Sequence, residues 1–189
     1  MKLLEQRILS EGRVLPGGIL KVDGFLNHQM DPMLLQEMAR ELRRLFDGAG
    51  VTRVMTVEAS GIALAILTGL EFQCPVVFAK KFRTSNMAGD AYTAVVPSFT
   101  HGNVNTIVVA RDYVKPGDRV LLVDDFLATG AALVGMKSIV EQAGATVVGA
   151  GVAIEKVFQG GGNALRAQGL RVEALASIVS MDDQSLSFS

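Results

Sequence analysis

The sequence predicts an α/β fold: a parallel sheet flanked by helices, topped by a small hood built from the terminal segments. Three observations lead there. First, short apolar runs rich in β-branched residues, Val54 to Val57, Val76 to Ala79, Val120 to Val123 and Thr146 to Ile154, read as strands buried on both faces. Second, segments of helical period alternate with these runs, the order expected of a parallel sheet with crossover helices. Third, a turn of small residues twice leads from a strand end into a helix, at Glu58-Ala59-Ser60-Gly61 and at Ala128-Thr129-Gly130-Ala131-Ala132. In open α/β sheets the carboxyl ends of strands are where ligands bind.

Composition narrows the possibilities. A chain of 189 residues with 49% hydrophobic content suits one domain spanning 1–189 with an adequate core. The net charge of −1, from 18 basic and 19 acidic residues, gives no general attraction to nucleic acid or to a membrane. One cysteine, Cys74, has no intramolecular partner, which suits a reducing compartment, and its neighbours Gln73 and Pro75 supply nothing to activate it. Met1 to Gly12 carries charges among its leucines and lacks the core of a signal peptide. The most apolar run, Gly61 to Leu70, is shorter than the ~20 residues a bilayer requires. A cytoplasmic protein is expected.

Taken in order, Met1 to Gly12 reads as an amphipathic helix and Leu15-Pro16-Gly17-Gly18 as a turn. Ile19 to Asn27 shows too little period to classify. Asp31 is placed to cap a helix with Pro32 at its first position, and Leu34, Leu35, Met38, Leu42, Leu45 and Phe46 give it an apolar face ending near Gly48. Arg40, Arg43 and Arg44 read as its solvated face, with an anion site as the alternative. The strand Val54 to Val57 leads through Glu58-Ala59-Ser60-Gly61 into a helix from Ile62 to Leu67. That turn is either an ordinary connection or a second anion cradle. Val76 to Ala79 ends at the basic cluster Lys80-Lys81-Phe82-Arg83, which is a solvated loop or a set of cations facing bound phosphates. Tyr92 to Val96 and Ile107 to Ala110, separated by His101-Gly102-Asn103, suggest a β-ribbon able to close over a site. After Thr146 to Ile154 come Glu155-Lys156, a turn at Gly160-Gly161-Gly162, a short helix, a strand near Arg171 to Ala176 and a polar tail.

The most informative stretch runs from Val120 to Leu133. Pro116-Gly117-Asp118 precedes the strand, and Asp124 and Asp125 are expected at its carboxyl end. The loop Ala128, Thr129, Gly130, Ala131 and Ala132 then opens a helix carrying Leu133, Met136, Ile139 and Val140, which Gly144 stops. Free backbone N–H groups and the helix dipole make such a loop an anion site, and Thr129 adds a hydroxyl. Carboxylates beside it suit sugar hydroxyls or a metal. The combination describes a pocket for a phosphorylated pentose, although an acid pair after a strand can also serve as a cap or turn.

Val123-Asp124-Asp125-Phe126-Leu127-Ala128-Thr129-Gly130 resembles the signature of the type I phosphoribosyltransferases. The likeness extends to Leu20 through Gln29, to Glu58-Ala59-Ser60-Gly61-Ile62 and to Ile154 through Gln159. The resemblance implies the family's fold, with its hood and flexible β-ribbon loop, and transfer of a phosphoribosyl group from phosphoribosyl pyrophosphate to a purine. It gives Asp124 and Asp125 the catalytic role of holding the ribose hydroxyls and stabilising the developing cation, and Ala128, Thr129, Gly130, Ala131 and Ala132 the 5-phosphate. Glu58, Ala59, Ser60 and Gly61 correspond to the pyrophosphate loop. Leu20, Asn27 and Lys156 correspond to the purine contacts: Lys156 to the oxygen at position 6, Asn27 with the Leu20 backbone to the second oxo group that separates xanthine from hypoxanthine. Mg²⁺ is expected to arrive mainly through the pyrophosphate, with no protein residue assigned as a metal ligand. A homodimer is implied as well.

Other classes compete. A regulatory protein that binds phosphoribosyl pyrophosphate without turnover would be expected to carry a basic DNA-binding segment, which this slightly acidic chain does not offer. A phosphoacceptor domain would want its acid pair near its first strand. Walker-type hydrolysis lacks the Gly-Lys-Ser or Gly-Lys-Thr ending. Neither His28 nor His101, the only histidines, has a second ligand or a nucleophile at useful spacing.

Overall fold

The structure is a computed structural model and describes residues 1–82, 90–97, 104–182 and 185–189. Helix α1 (Lys2–Glu11) buries Leu4 and Ile8, one turn apart on the same face. Strands β1 (Arg13–Leu15) and β2 (Ile19–Lys21) form an antiparallel hairpin, and Asp23–Asn27 is a π-helical turn that buries Phe25 and Leu26. The absence of period in Ile19 to Asn27 is thereby explained. A strand of three residues joined to a turn of five is too short for either period to register.

Helix α2 (Pro32–Leu45) starts where the sequence places it: the Asp31 carboxylate accepts from the N–H groups of Met33 and Leu34, at 3.0 and 3.2 Å. Arg40, Arg43 and Arg44 pair with Glu37, Asp47 and Glu41 on the solvated side. There follow β3 (Arg53–Val57), α3 (Ile62–Phe72), β4 (Val76–Phe82), β5 (Ala91–Pro97), β6 (Val104–Ala110), β7 (Arg119–Leu127), α4 (Ala131–Gln142), β8 (Thr146–Lys156), α5 (Gly161–Ala167), β9 (Val172–Met181) and β10 (Leu186–Phe188).

One sheet has the order β10-β9-β8-β7-β3-β4-β6-β5. Its centre, β9-β8-β7-β3-β4, is parallel, and its edges are antiparallel: β10 on one side, the β5–β6 ribbon on the other. On one face the buried side chains of α1, the hairpin segment, α2 and α3 form a single cluster with Leu175 and Ile178 of β9, and Leu186 and Phe188 pack onto it. The terminal segments therefore share their core with the sheet. On the other face Leu133, Met136, Ile139 and Val140 of α4 and Leu165 of α5 cover Met55, Leu122 and Val152.

Several boundaries differ from the sequence reading. For the strands, hydropathy marks the apolar residues, whereas ladder hydrogen bonds continue through polar ones wherever a neighbouring strand offers partners. Strand β7 runs through Asp124 and Asp125 to Leu127, so the acids lie inside the strand, with Asp124 opposite Val152. Strand β4 includes Lys80 and Lys81, which face Val108 and Ile107 of β6, so they do not lie in a loop. Helix α3 extends to Phe72. Gly161 and Gly162 belong to α5 rather than to a turn, β9 continues to Met181, and the polar tail contains β10. Arg83 and the residues after it to 89, like His101-Gly102-Asn103, lie outside the described residues. Among the described residues no helix is long and apolar enough to cross a membrane.

Candidate active site

Because β3, β4 and β7 are adjacent and two of their pairings are parallel, their carboxyl ends open on the same side of the sheet. The ends enclose a cavity of about 230 Å³. Glu58 and Ser60 come from the turn after β3, Lys81 from β4, Asp124 and Asp125 from β7, and Ala128 through Ala132 from the loop leading into α4. The ribbon adds Val96, Pro97, Asn105 and Ile107 to the wall. Of the two lysines near the end of β4, Lys81 lines the cavity.

Asp124 and Asp125 are 5% and 8% exposed, and the Asp125 N–H donates to Asp124 Oδ1 at 3.0 Å. Burial, and after it the neighbouring Asp125 carboxylate, pushes the Asp124 carboxyl well above the usual carboxylate range, with the charge of Lys81 acting in opposition. Two buried acids, with Lys81 the one cation among the described lining residues, form a site that gains from a positively charged or hydroxyl-rich guest.

The Glu58 turn is tied to β4 at its first residue. Its N–H donates to the Ala79 carbonyl at 3.0 Å, and its Oε1 accepts from the Lys81 backbone N–H at 2.5 Å. The Glu58–Ala59 peptide is cis. Gly61 sits where a Cβ would lie 2.2 Å from Thr56 Oγ1 and 3.2 Å from Asp124 Oδ1, so only glycine lets this turn approach the acids. Ser60 of this turn faces the cavity, whereas Ala59 and Gly61 form the turn behind it.

Among the described residues no side chain caps α4, and Gly130 precedes it with φ +84°. The first-turn N–H groups of this twelve-residue helix are consequently available to an anion at the cavity. Thr129 and its small neighbours leave the backbone accessible.

Leu20, Asn27 and Lys156 do not line this cavity. Lys156 Nζ donates to the Gly18 carbonyl at 2.8 Å, reaching the hairpin that carries Leu20, and lies 5.6 Å from the ring centre of Phe126, itself a cavity residue. Burial lowers the pKa of Lys156. Asn27 Oδ1 is buried without a partner among the described residues. Lys156 does not pair with the neighbouring Glu155, which bonds to Arg166 at 2.8 and 2.7 Å. Cys74 packs against the first core cluster, and burial pushes its thiol pKa up, away from nucleophile chemistry. His28 follows the π-helical turn.

Sequence reasoning missed Thr56, Gly161 and Arg166. Thr56 looks like any strand residue. The glycine run offered a signal, but it reads equally well as a turn.

The phosphoribosyl transferase domain family matches residues 22–162, which include the acid pair, the loop after it and the Glu58 turn. The chain belongs to the phosphoribosyltransferase family. This phosphoribosyltransferase is 53% identical over 188 residues to a xanthine phosphoribosyltransferase of Moorella thermoacetica, a match covering 100% of this chain and 96% of that protein. A xanthine phosphoribosyltransferase of Bacillus cereus is 48% identical, with 100% and 95% covered. Among solved structures, the adenine phosphoribosyltransferase of Rhodothermus marinus superposes with a TM-score of 0.75 at 24% identity, covering 94% of this chain and 99% of that one. The Giardia lamblia enzyme complexed with 9-deazaadenine gives 0.78 at 20%, with 92% and 97% covered. At such identities these structures show the shared fold alone: a central, mostly parallel sheet flanked by helices.

Proposed function

We propose that this phosphoribosyltransferase works in purine salvage, moving the 5-phosphoribosyl group from phosphoribosyl pyrophosphate to N9 of xanthine and forming xanthosine 5′-monophosphate. The observation that carries the reading is one cavity shared by the acid pair, the open N-terminus of α4 and the Glu58 turn. The choice of base rests on the whole-chain likeness to relatives named for xanthine.

In this account the amides of Ala128 to Ala132 hold the 5-phosphate, and Asp124 and Asp125 hold the ribose hydroxyls. The C1′–O bond to pyrophosphate breaks, the C1′–N9 bond forms, and the N9 proton leaves to solvent. Positive charge that develops at C1′ meets two buried acids already fixed in place, where electrostatic contacts act more strongly than in water. Glu58 to Gly61 and Lys81 receive the departing pyrophosphate. Lys156 donates to the oxygen at position 6. Asn27, whose buried Oδ1 awaits a donor, reads the purine's other edge with the Leu20 backbone.

The oxygen donors around the cavity suit Mg²⁺, a hard cation that keeps few protein ligands when phosphates supply the rest. Asp124, Asp125 and Glu58 are the acids that line the cavity, and they would hold such an ion together with the pyrophosphate that brings it. Such an ion neutralises charge on the leaving group.

The chain acts as one domain over 1–189, in the cytoplasm and as a homodimer. Ile66 and Leu70, exposed and one turn apart on α3, offer apolar surface for a second copy to cover. A monomer in sedimentation equilibrium would remove the dimer. Incubating the protein with xanthine, phosphoribosyl pyrophosphate and Mg²⁺ should yield the nucleotide by mass spectrometry, and chelation should abolish it. No nucleotide from any oxopurine would refute the reading.

A further inference from the structure

We propose that the Glu155–Arg166 ion pair positions the phosphate loop: it anchors α5 so that Gly161 lies against the backbone of Ala128, Thr129 and Gly130. The inference rests on the reading of Ala128 to Ala132 as a phosphate site.

A buried carboxylate needs a reason. Glu155 is 1% exposed, and the Arg166 guanidinium meets it with two hydrogen bonds, from Nη1 and Nη2, at 2.8 and 2.7 Å. The same guanidinium donates to the Val172 carbonyl from Nε at 3.3 Å and from Nη2 at 3.2 Å. Arg166 thus ties α5 to the end of β8 and the start of β9. Helix α5 has seven residues, far too few for a helix to hold itself in place, so its position depends on such ties. Gly162 makes room for the pair, since a Cβ there would lie 1.9 Å from Glu155 Oε1.

One residue earlier, the helix touches the phosphate loop. The Gly161 N–H donates to the Ala128 carbonyl at 3.1 Å. A Cβ on Gly161 would lie 2.3 Å from Ala128 O, 2.4 Å from Thr129 C and 2.7 Å from Gly130 N. The loop's own side chains are too small to fix its course, so this backbone contact does it from behind. Amides stabilise an anion best when held in position before it arrives. Glu155 and Lys156 are successive strand residues and point to opposite faces. Hence the pair acts on the loop, while Lys156 reaches the hairpin.

Two variants test this. Arg166→Lys keeps the charge that Glu155 needs but loses the planar fork. Gly161→Ala leaves the pair intact and displaces the loop. Calorimetric titration with ribose 5-phosphate should show binding weakened about tenfold or more in both, as sub-ångström misplacement of a fixed site requires. The KM for phosphoribosyl pyrophosphate should rise in step while the KM for xanthine stays put. A lowered melting temperature with wild-type ribose 5-phosphate affinity in Arg166→Lys would reduce the pair to scaffolding and overturn the inference. Should that variant fail to fold, Glu155→Gln with Arg166→Gln, which strands no buried charge, takes the same measurements with the same criteria. Wild-type protein that binds no ribose 5-phosphate would instead refute the phosphate-site reading itself, and the inference with it.

Discussion

The Asp125 backbone N–H donates to Asp124 Oδ1 at 3.0 Å within strand β7, so two acids that follow each other in sequence are locked together inside the sheet. A strand would ordinarily send consecutive side chains to opposite faces. Here both residues line one cavity near the carboxyl end of β7. The arrangement stabilises a positively charged guest at the expense of the empty protein.

Asp124→Asn should therefore make the protein more stable at neutral pH while reducing turnover. The folded protein holds the Asp124 proton to higher pH than the unfolded chain does, chiefly through burial. Between the ordinary carboxylate value and that raised one, the folded state binds more protons, so stability falls as pH rises. Chemical denaturation of both proteins across pH should show the variant's advantage growing through that window and vanishing below it. An advantage independent of pH would show that charge is not its cause.

Asp125→Asn should lower kcat by about a hundredfold, the usual cost of losing one group aimed at developing charge. Circular dichroism should show an unchanged fold. Full activity would remove this acid from the mechanism.

Thr56 Oγ1 is buried, with no hydrogen-bond partner among the described residues, and crowds Gly61. Thr56→Val should stabilise the protein by about 1 kcal/mol in urea titration, because an unsatisfied buried hydroxyl is costly. A loss of that size would reveal a partner for the hydroxyl. Gly61→Ala, by contrast, forces a methyl between Thr56 and Asp124 and should depress activity sharply.

Lys156→Met should raise the KM for xanthine about tenfold or more, the worth of a charged hydrogen bond, and leave that for phosphoribosyl pyrophosphate unaltered. Equal increases in both constants would indicate that the Lys156–Gly18 contact supports the whole site.

The donor half of the site was legible because it is local. Acid pair, loop and helix start follow one another from Asp124 to Leu133, and the Glu58 turn repeats the pattern. Strand ends were harder to read: Lys81 and both acids remain in their strands because neighbours supply ladder partners that hydropathy does not report. Long-range contacts left no trace at all. Nothing in Gly161 or Arg166 announces that one backs a loop far earlier in the chain and the other neutralises Glu155. The link from Lys156 to Gly18 spans most of the chain.

The most direct test compares initial rates for xanthine, guanine, hypoxanthine and adenine at fixed phosphoribosyl pyrophosphate and Mg²⁺. Xanthine should give the highest kcat/KM and adenine no measurable nucleotide, because Lys156 offers a donor where an aminopurine presents another. Preference for adenine, or no turnover with any of the four, would contradict the account.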